Sequence, residues 1–374
     1  MDVNCEPDKL DDSSWDDLIN FIKEGKCILF VGPESVMKSP GILYHSELIK
    51  SPEFQNNEYF KYIERDEMFL LNKNFYRGKL VSRFRNYCNK NIFFDDTYKK
   101  ISAIPFNTII VVTRYSFLLQ TFENNKIAFQ HRWFSKIFDK SKTEAEIDTP
   151  SSEIPLIYNL FGNSNTDESL LLTHNDLFDY LTKLLSENSL PARLRELVKS
   201  SNQIIFLGFK FERWYLQLLL RLFELNDLNA KFERIATTSH EQEDIINMCT
   251  TDFNMNFIGE NSESFVNTLY DKCIEKGVEL RKPSSISTGS LLRNEFNSLL
   301  KTNRFDDALK QLENLEIKNN LQDKVTQLTG SWNSIKSKKE NGTISDADLN
   351  LETNKFRQQM QLVIDDHLAE VNNS

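Results

Sequence analysis

The segment Lys26-Cys27-Ile28-Leu29-Phe30-Val31-Gly32-Pro33-Glu34-Ser35 sets the architecture. Five apolar residues in succession, closed by a glycine and a proline, describe a short strand covered on both faces. Immediately before it, Trp15, Leu18, Ile19 and Ile22 recur at helical spacing, so Ser14 to Lys23 reads as a helix packed on that strand. Three similar runs follow: Thr108-Ile-Ile-Val-Val-Thr113, Ile154-Pro-Leu-Ile-Tyr158 and Gln203-Ile-Ile-Phe-Leu-Gly208. A weaker run, Phe253-Asn-Met-Asn-Phe-Ile258, reads as an edge strand. Helical patterns over Ser116–Asn124, Asp176–Leu185 and Glu212–Leu225 separate them. Strands interleaved with helices give an α/β domain with a doubly wound, mostly parallel sheet over residues 10–280. Right-handed crossovers then gather the loops after each strand on one edge, where α/β sheets bind ligands.

A second pattern begins further on. Residues 281–289, Arg-Lys-Pro-Ser-Ser-Ile-Ser-Thr-Gly, read as a polar linker. Beyond it no strand-like run occurs. Leu291, Leu292, Phe296, Leu299 and Leu300 share one helical face; Phe305, Ala308, Leu309, Leu312 and Leu315 share a second. Val325, Leu328, Trp332 and Ile335 form a third, and Phe356, Met360, Val363, Ile364 and Leu368 a fourth. Ser345, three residues before Asp348, has capping-box spacing for the last helix. Residues 290–374 are therefore expected to form an all-α domain.

Composition narrows the function classes. The 374 residues carry a net charge of −10, with 40% hydrophobic and 27% charged residues, as in an ordinary globular protein. That charge makes nucleic-acid coating an unfavoured role. No apolar run suits a signal peptide or a membrane span, so a cytoplasmic protein with no membrane partner is expected. Five cysteines and five histidines are scattered, without the spacing of a disulfide framework or a metal site, and no metal is expected. The stretch Phe75-Tyr-Arg-Gly-Lys-Leu-Val-Ser-Arg-Phe-Arg-Asn-Tyr87 mixes basic and aromatic residues; it reads as a helix with a solvated basic face before it reads as a stacking surface.

The first part resembles the sirtuin-like (silent-information-regulator-2-like) domains of prokaryotic antiphage defence proteins. The resemblance rests on Trp15 to Glu34, Ile104 to Leu119, Ile154 to Gly162 with Leu172 to Tyr180, and Ile205 to Trp214. It implies a Rossmann-like sheet and, in active members, NAD bound at the first strand and its turn. The second part resembles a helical effector-associated adaptor domain, on Leu300 to Leu309 and Asn341 to Leu349. Such domains join an effector to a partner carrying a like domain.

The same resemblance makes three departures visible. The family's first turn is Gly-Ala-Gly; here it is Gly32-Pro33-Glu34. Pro33 has no N–H to give a phosphate, and Glu34 adds a negative charge. At about 5 Å and an effective dielectric near 20, that repulsion costs on the order of 3 kcal/mol, about a hundredfold in affinity. The family's Thr-Thr-Asn-Tyr-Asp becomes Val112-Thr113-Arg114-Tyr115-Ser116, so Arg114 replaces the asparagine and Ser116 the aspartate. The family's Leu-His-Gly becomes Leu160-Phe161-Gly162, so Phe161 stands where a general base worth roughly 10²–10⁴ in rate is needed. His174 is a poor substitute base, because Thr173-His-Asn-Asp176 reads as a helix cap.

The expectation is a pseudoenzyme with no catalytic residues. Gly32, Pro33, Glu34, Thr113, Arg114 and Gly208 would line a vestigial nucleotide pocket that disfavours NAD and ADP-ribose-like ligands. Gly208 is assigned first a steric role, and Arg213-Trp214 a packing role. Arg83 and Arg85 are considered with Arg114 as an anion site. The protein would act as scaffold, regulator or nucleotide sensor in an antiviral complex, as an oligomer. Its partner would carry a like effector-associated domain or be encoded nearby, docking on Phe305, Trp332, Phe356 and Met360. The competing reading is an active NAD hydrolase that depletes NAD during infection.

Overall fold

A computed structural model describes residues 9–39, 41–55, 58–91, 93, 96–134, 147–162, 169–187, 190–226, 233–237, 242–282, 296, 299, 300, 304–314 and 319–372. The chain divides into two compact units, Met1–Pro283 and Ser284–Ser374.

The first unit is a doubly wound α/β fold. Helix α1 (Asp12–Lys23) precedes β1 (Cys27–Val31), all five residues of which are buried. Two small antiparallel pairs follow, β2 (Met37–Ser39) with β3 (Ile42–Leu43), and β4 (Phe60–Ile63) with β5 (Met68–Leu71); α2 (Tyr44–Lys50) lies between them. Then come α3 (Arg77–Lys90), α4 (Asp96–Ala103), β6 (Thr108–Val111), α5 (Phe117–Asn124), β7 (Gln130–Trp133) and β8 (Leu156–Asn159). The unit ends with α6 (His174–Glu187), α7 (Ala192–Ser200), β9 (Gln203–Leu207), α8 (Trp214–Leu222), β10 (Arg234–Thr237), α9 (Glu243–Phe253), β11 (Met255–Ile258) and α10 (Ser262–Glu275). Seven strands form one parallel sheet in the order β11-β10-β9-β1-β6-β8-β7. The Cys27–Val31 strand lies at its centre, with Leu29 opposite Ile109 on one side and Ile205 on the other.

The pattern of continuous apolarity located β1, β6, β8 and β9, and the weak run became the edge strand β11. It missed β7 and β10. Gln130-His-Arg-Trp133 is a half-buried edge strand, and Arg234-Ile-Ala-Thr237 buries its two polar ends, so neither shows an apolar run.

The segment read as a linker begins inside this unit. Arg281 donates from Nε to Ser152 O at 2.5 Å, from Nη1 to Ser102 O at 3.0 Å and Ile104 O at 2.6 Å, and from Nη2 to Phe106 O. Burial lowers its pKa to about 9. Residues 283–289 lie outside the described residues.

The second unit is helical. Phe296, Leu299 and Leu300 are helical residues of the expected first helix, the rest of which lies outside the described residues. Helices α11 (Phe305–Asn314), α12 (Asn319–Glu340) and α13 (Asp346–Asn372) follow. The Ser345 hydroxyl accepts from Asp348 N–H at 3.2 Å, which is one half of the expected capping box; the Asp348 carboxylate accepts from the Ser345 hydroxyl at 2.7 Å in place of a backbone amide. The docking assignment is corrected here. Phe305, Phe356 and Met360 are buried, and Trp332 packs between the two phenylalanines at ring separations of 4.8 and 5.2 Å. These four residues are the core of the unit, because the aromatic side chains at helical spacing are what a small bundle has to bury. Among the described residues of α13, the exposed large apolar side chains are Leu351 and Leu362.

Candidate functional site

The loops after β1, β6, β8 and β9 meet at one edge of the sheet, and the first turn is closed by its neighbours. Gly32 N–H donates to Leu207 O at 2.8 Å, Glu34 N–H to Gly208 O at 2.9 Å, and Ser35 N–H back to Gly32 O at 3.2 Å. The Ser35 hydroxyl also donates to Gly32 O, at 2.6 Å. Amides that would cradle a phosphate in an open turn are thus spent on the protein's own carbonyls. The two glycines serve that closure. Gly208 has φ +62°, and a Cβ there would sit 2.3 Å from Ser35 N; a Cβ on Gly32 would sit 2.4 Å from Gly208 O. Backbone meets backbone at this point.

The second and third loops meet each other. Arg114 is buried; its Nε donates to Leu171 O at 2.7 Å, and its guanidinium lies 5.9 Å from the centroid of Phe161. Phe161 is itself buried against Tyr180 and Tyr215, each 6.1 Å away. The residues expected at the family's asparagine and histidine positions, Arg114 and Phe161, form one cation–aromatic pair. An arginine has donors only and stays protonated, and a phenyl ring moves no proton, so this pair supplies neither an acceptor nor a base. Thr113 is buried with its hydroxyl on Tyr115 O at 3.3 Å, and Ser116 accepts from Gln120 Nε2 at 3.4 Å.

A charged cluster completes the edge. The β4–β5 turn places Glu67 at φ +51° and buries it. Its Oε1 lies 2.8 Å from Lys210 Nζ and 3.3 Å from Arg213 Nη2, and Lys210 also reaches Glu34 at 3.3 Å. Burial pushes the Glu67 carboxyl up, but Lys210 together with His45 and Arg114 outweighs it and holds the pKa at about 2. Glu34 moves the other way, because burial outweighs its attraction to Lys210. His45 touches two hydroxyls: Nδ1 is 3.0 Å from Tyr115 Oη, and Nε2 bonds Tyr62 Oη. Burial lowers its pKa to about 4 against the opposing pull of Glu67, so it is neutral at pH 7.

The family comparisons bear on this edge. Residues 110–246 match the SIR2-like domain model, and residues 292–367 match effector-associated domain 11. The chain carries a SIR2-like domain followed by an effector-associated domain. No curated protein matches the chain at a significant level. The matched part of the SIR2-like domain contains Arg114, Phe161, Lys210 and Arg213, whereas Glu34, His45 and Glu67 precede it.

Within the first unit, Gly32, Pro33, Glu34 and Gly208 are brought together, as are Arg114 and Phe161. Arg83 is placed elsewhere: it lies over Tyr59 and Phe60 and donates to Glu53 O, while Arg114 sits among Leu171, Met68 and Phe161. Arg213 is an ion-pair partner of Glu67, and Trp214 remains 46% exposed, which corrects the packing role expected for both. His174 is the first residue of α6, with Nε2 3.5 Å from Asp66 Oδ2. The cap beside it is built by Thr173 and Asp176, which exchange bonds at 3.0 and 3.1 Å. Sequence reasoning missed Glu67 and His45, and no local pattern marks either. Among the described residues no group of three or more His, Cys, Asp or Glu gathers to hold a metal, and no helix is long and apolar enough to cross a membrane.

Proposed function

We propose that this chain is a catalytically silent, SIR2-like binding component of a prokaryotic antiviral defence complex, acting as scaffold or regulator. Its effector-associated domain would recruit a protein partner carrying a like domain. The observation that carries the reading is the pairing of Arg114 with Phe161, which fills two positions where the sirtuin reaction needs an amide and a base. The spent amides of the Gly32–Ser35 turn and the Glu34 carboxylate support it further, since both oppose a pyrophosphate. The combination of a SIR2-like domain with an effector-associated domain supports the defence setting.

Nicotinamide release from NAD by the full-length protein, followed for hours at high protein concentration, tests the reading. No release is expected. Restoring the family residues with Arg114→Asn and Phe161→His is expected to leave the protein inactive as well, because the closed first turn remains. Release by the unmodified protein, lost on changing Arg114 or His174, would establish the NAD hydrolase instead. For the recruiting role, a chain ending at residue 283 is expected to lose co-elution with a partner bearing a like domain; retained co-elution would move the docking surface to the SIR2-like domain.

A further inference from the structure

Helix α3 and the start of β4 enclose an open groove of about 420 Å³, lined by Tyr59, Gly78, Lys79, Ser82 and Arg83. Its shape follows from the helical repeat. Gly78 and Ser82, four residues apart, form a low floor, and a Cβ on Gly78 would meet nothing within 4 Å. Lys79 and Arg83, also four apart, form a basic wall. Tyr59 is the aromatic residue of the lining, and a row of rings leads away from it to Tyr76 at 4.7 Å and on to Phe75 at 4.2 Å. Phe75 is 72% exposed. Cations line the row: Lys73 lies 5.8 Å from Phe75, Lys79 3.9 Å from Tyr59, and Arg83 5.4 Å from Tyr59. Neither Lys79 nor Arg83 pairs with a carboxylate among the described residues. Glu53 gives Arg83 only its backbone carbonyl at 3.2 Å, and its carboxylate lies 3.7 Å from Lys90.

An exposed ring, continued by two half-buried ones, beside cations without a carboxylate partner suits a ligand with flat faces and regular negative charges. We propose that this groove binds single-stranded nucleic acid, with bases stacked on the Phe75 end of the row and phosphates on Lys79 and Arg83. A duplex hides its base faces and suits the groove less well. The net charge of −10 belongs to the whole chain and sets a different expectation from this local surface. The inference is independent of whether the sheet edge is catalytic.

Fluorescence anisotropy of a short labelled oligothymidylate with the full-length protein, at about 50 mM salt, tests it. Binding is expected, with a salt slope near −2 if Lys73, Lys79 and Arg83 each displace a counterion. Phe75→Ala is expected to weaken it about tenfold and the pair Lys79→Glu, Arg83→Glu to abolish it. Lys336→Glu in the helical unit should leave it unchanged. A duplex of the same length should bind at least about tenfold more weakly. An unchanged melting temperature confirms that each variant is folded. No binding by the unmodified protein overturns the proposal. So does binding that survives the double charge reversal, which would place the ligand elsewhere, and so does equal affinity for duplex with Phe75→Ala neutral, which would leave only a charge effect.

Discussion

Arg114 over Phe161 and Lys79 over Tyr59 are the same kind of contact in opposite surroundings. Arg114 is buried, its Nε bonded to a carbonyl and its charge set beside Glu67. Lys79 is exposed, without a carboxylate among the described residues. The first pair is enclosed by the fold; the second faces an open groove. What separates them is the number of protein partners each cation already has. Motif positions drew attention to Arg114, but a cation that is fully engaged by its own fold has little left to offer a ligand.

The largest effect that would break this contrast is at Glu67. Glu67→Ala leaves Lys210 and Arg213 without their shared carboxylate in a buried site, and should cost about 3–5 kcal/mol in chemical denaturation. A loss below about 1 kcal/mol would mean that the cluster is solvated and the edge open. Gly208→Ala comes next. A left-handed backbone and a Cβ at 2.3 Å from Ser35 N should cost more than about 2 kcal/mol. Tolerance of alanine there would show that the first turn can move away and expose its amides.

Acid is a milder probe. His45 titrates near 4 in the fold against 6.5 in the unfolded chain, so the unfolded chain takes up a proton first as pH falls. Stability is therefore lost from pH 6.5 down to about 4, by at most about 1.4 kcal/mol per pH unit. Glu67, held at about 2 against 4.5, extends the loss below pH 4.5, because its stabilisation disappears as it protonates. Melting temperatures across this range should fall less steeply for His45→Asn; identical slopes would remove His45 from the account. The smallest effect belongs to the open pair. Lys79→Ala and Arg83→Ala should each change stability by less than about 0.5 kcal/mol, although they face the proposed nucleic-acid groove.

The sequence made some of this plain and left some of it hidden, for reasons that are local or not. Cys27–Val31 announced a central strand because burial on both faces demands an unbroken apolar run. Ser345 and Asp348 announced a cap because both partners lie within one turn. Arg114, Ser116 and Phe161 stood out against the family pattern, but their meeting did not, since it depends on how two loops pack. Glu67 was silent altogether: its partner Lys210 is 143 residues away, and a glutamate at a hairpin turn ordinarily faces water. Phe305, Trp332, Phe356 and Met360 were legible as the apolar faces of three helices and were expected to dock a partner, because periodicity marks the side that is buried without saying against what.

Arg281 has a consequence for where this chain can be divided. Its guanidinium gathers the carbonyls of Ser102, Ile104, Phe106 and Ser152, which lead into two neighbouring strands of the sheet. A break in the chain upstream of it would take away the group that ties these four carbonyls together, so a cut that keeps the first unit whole falls after Arg281.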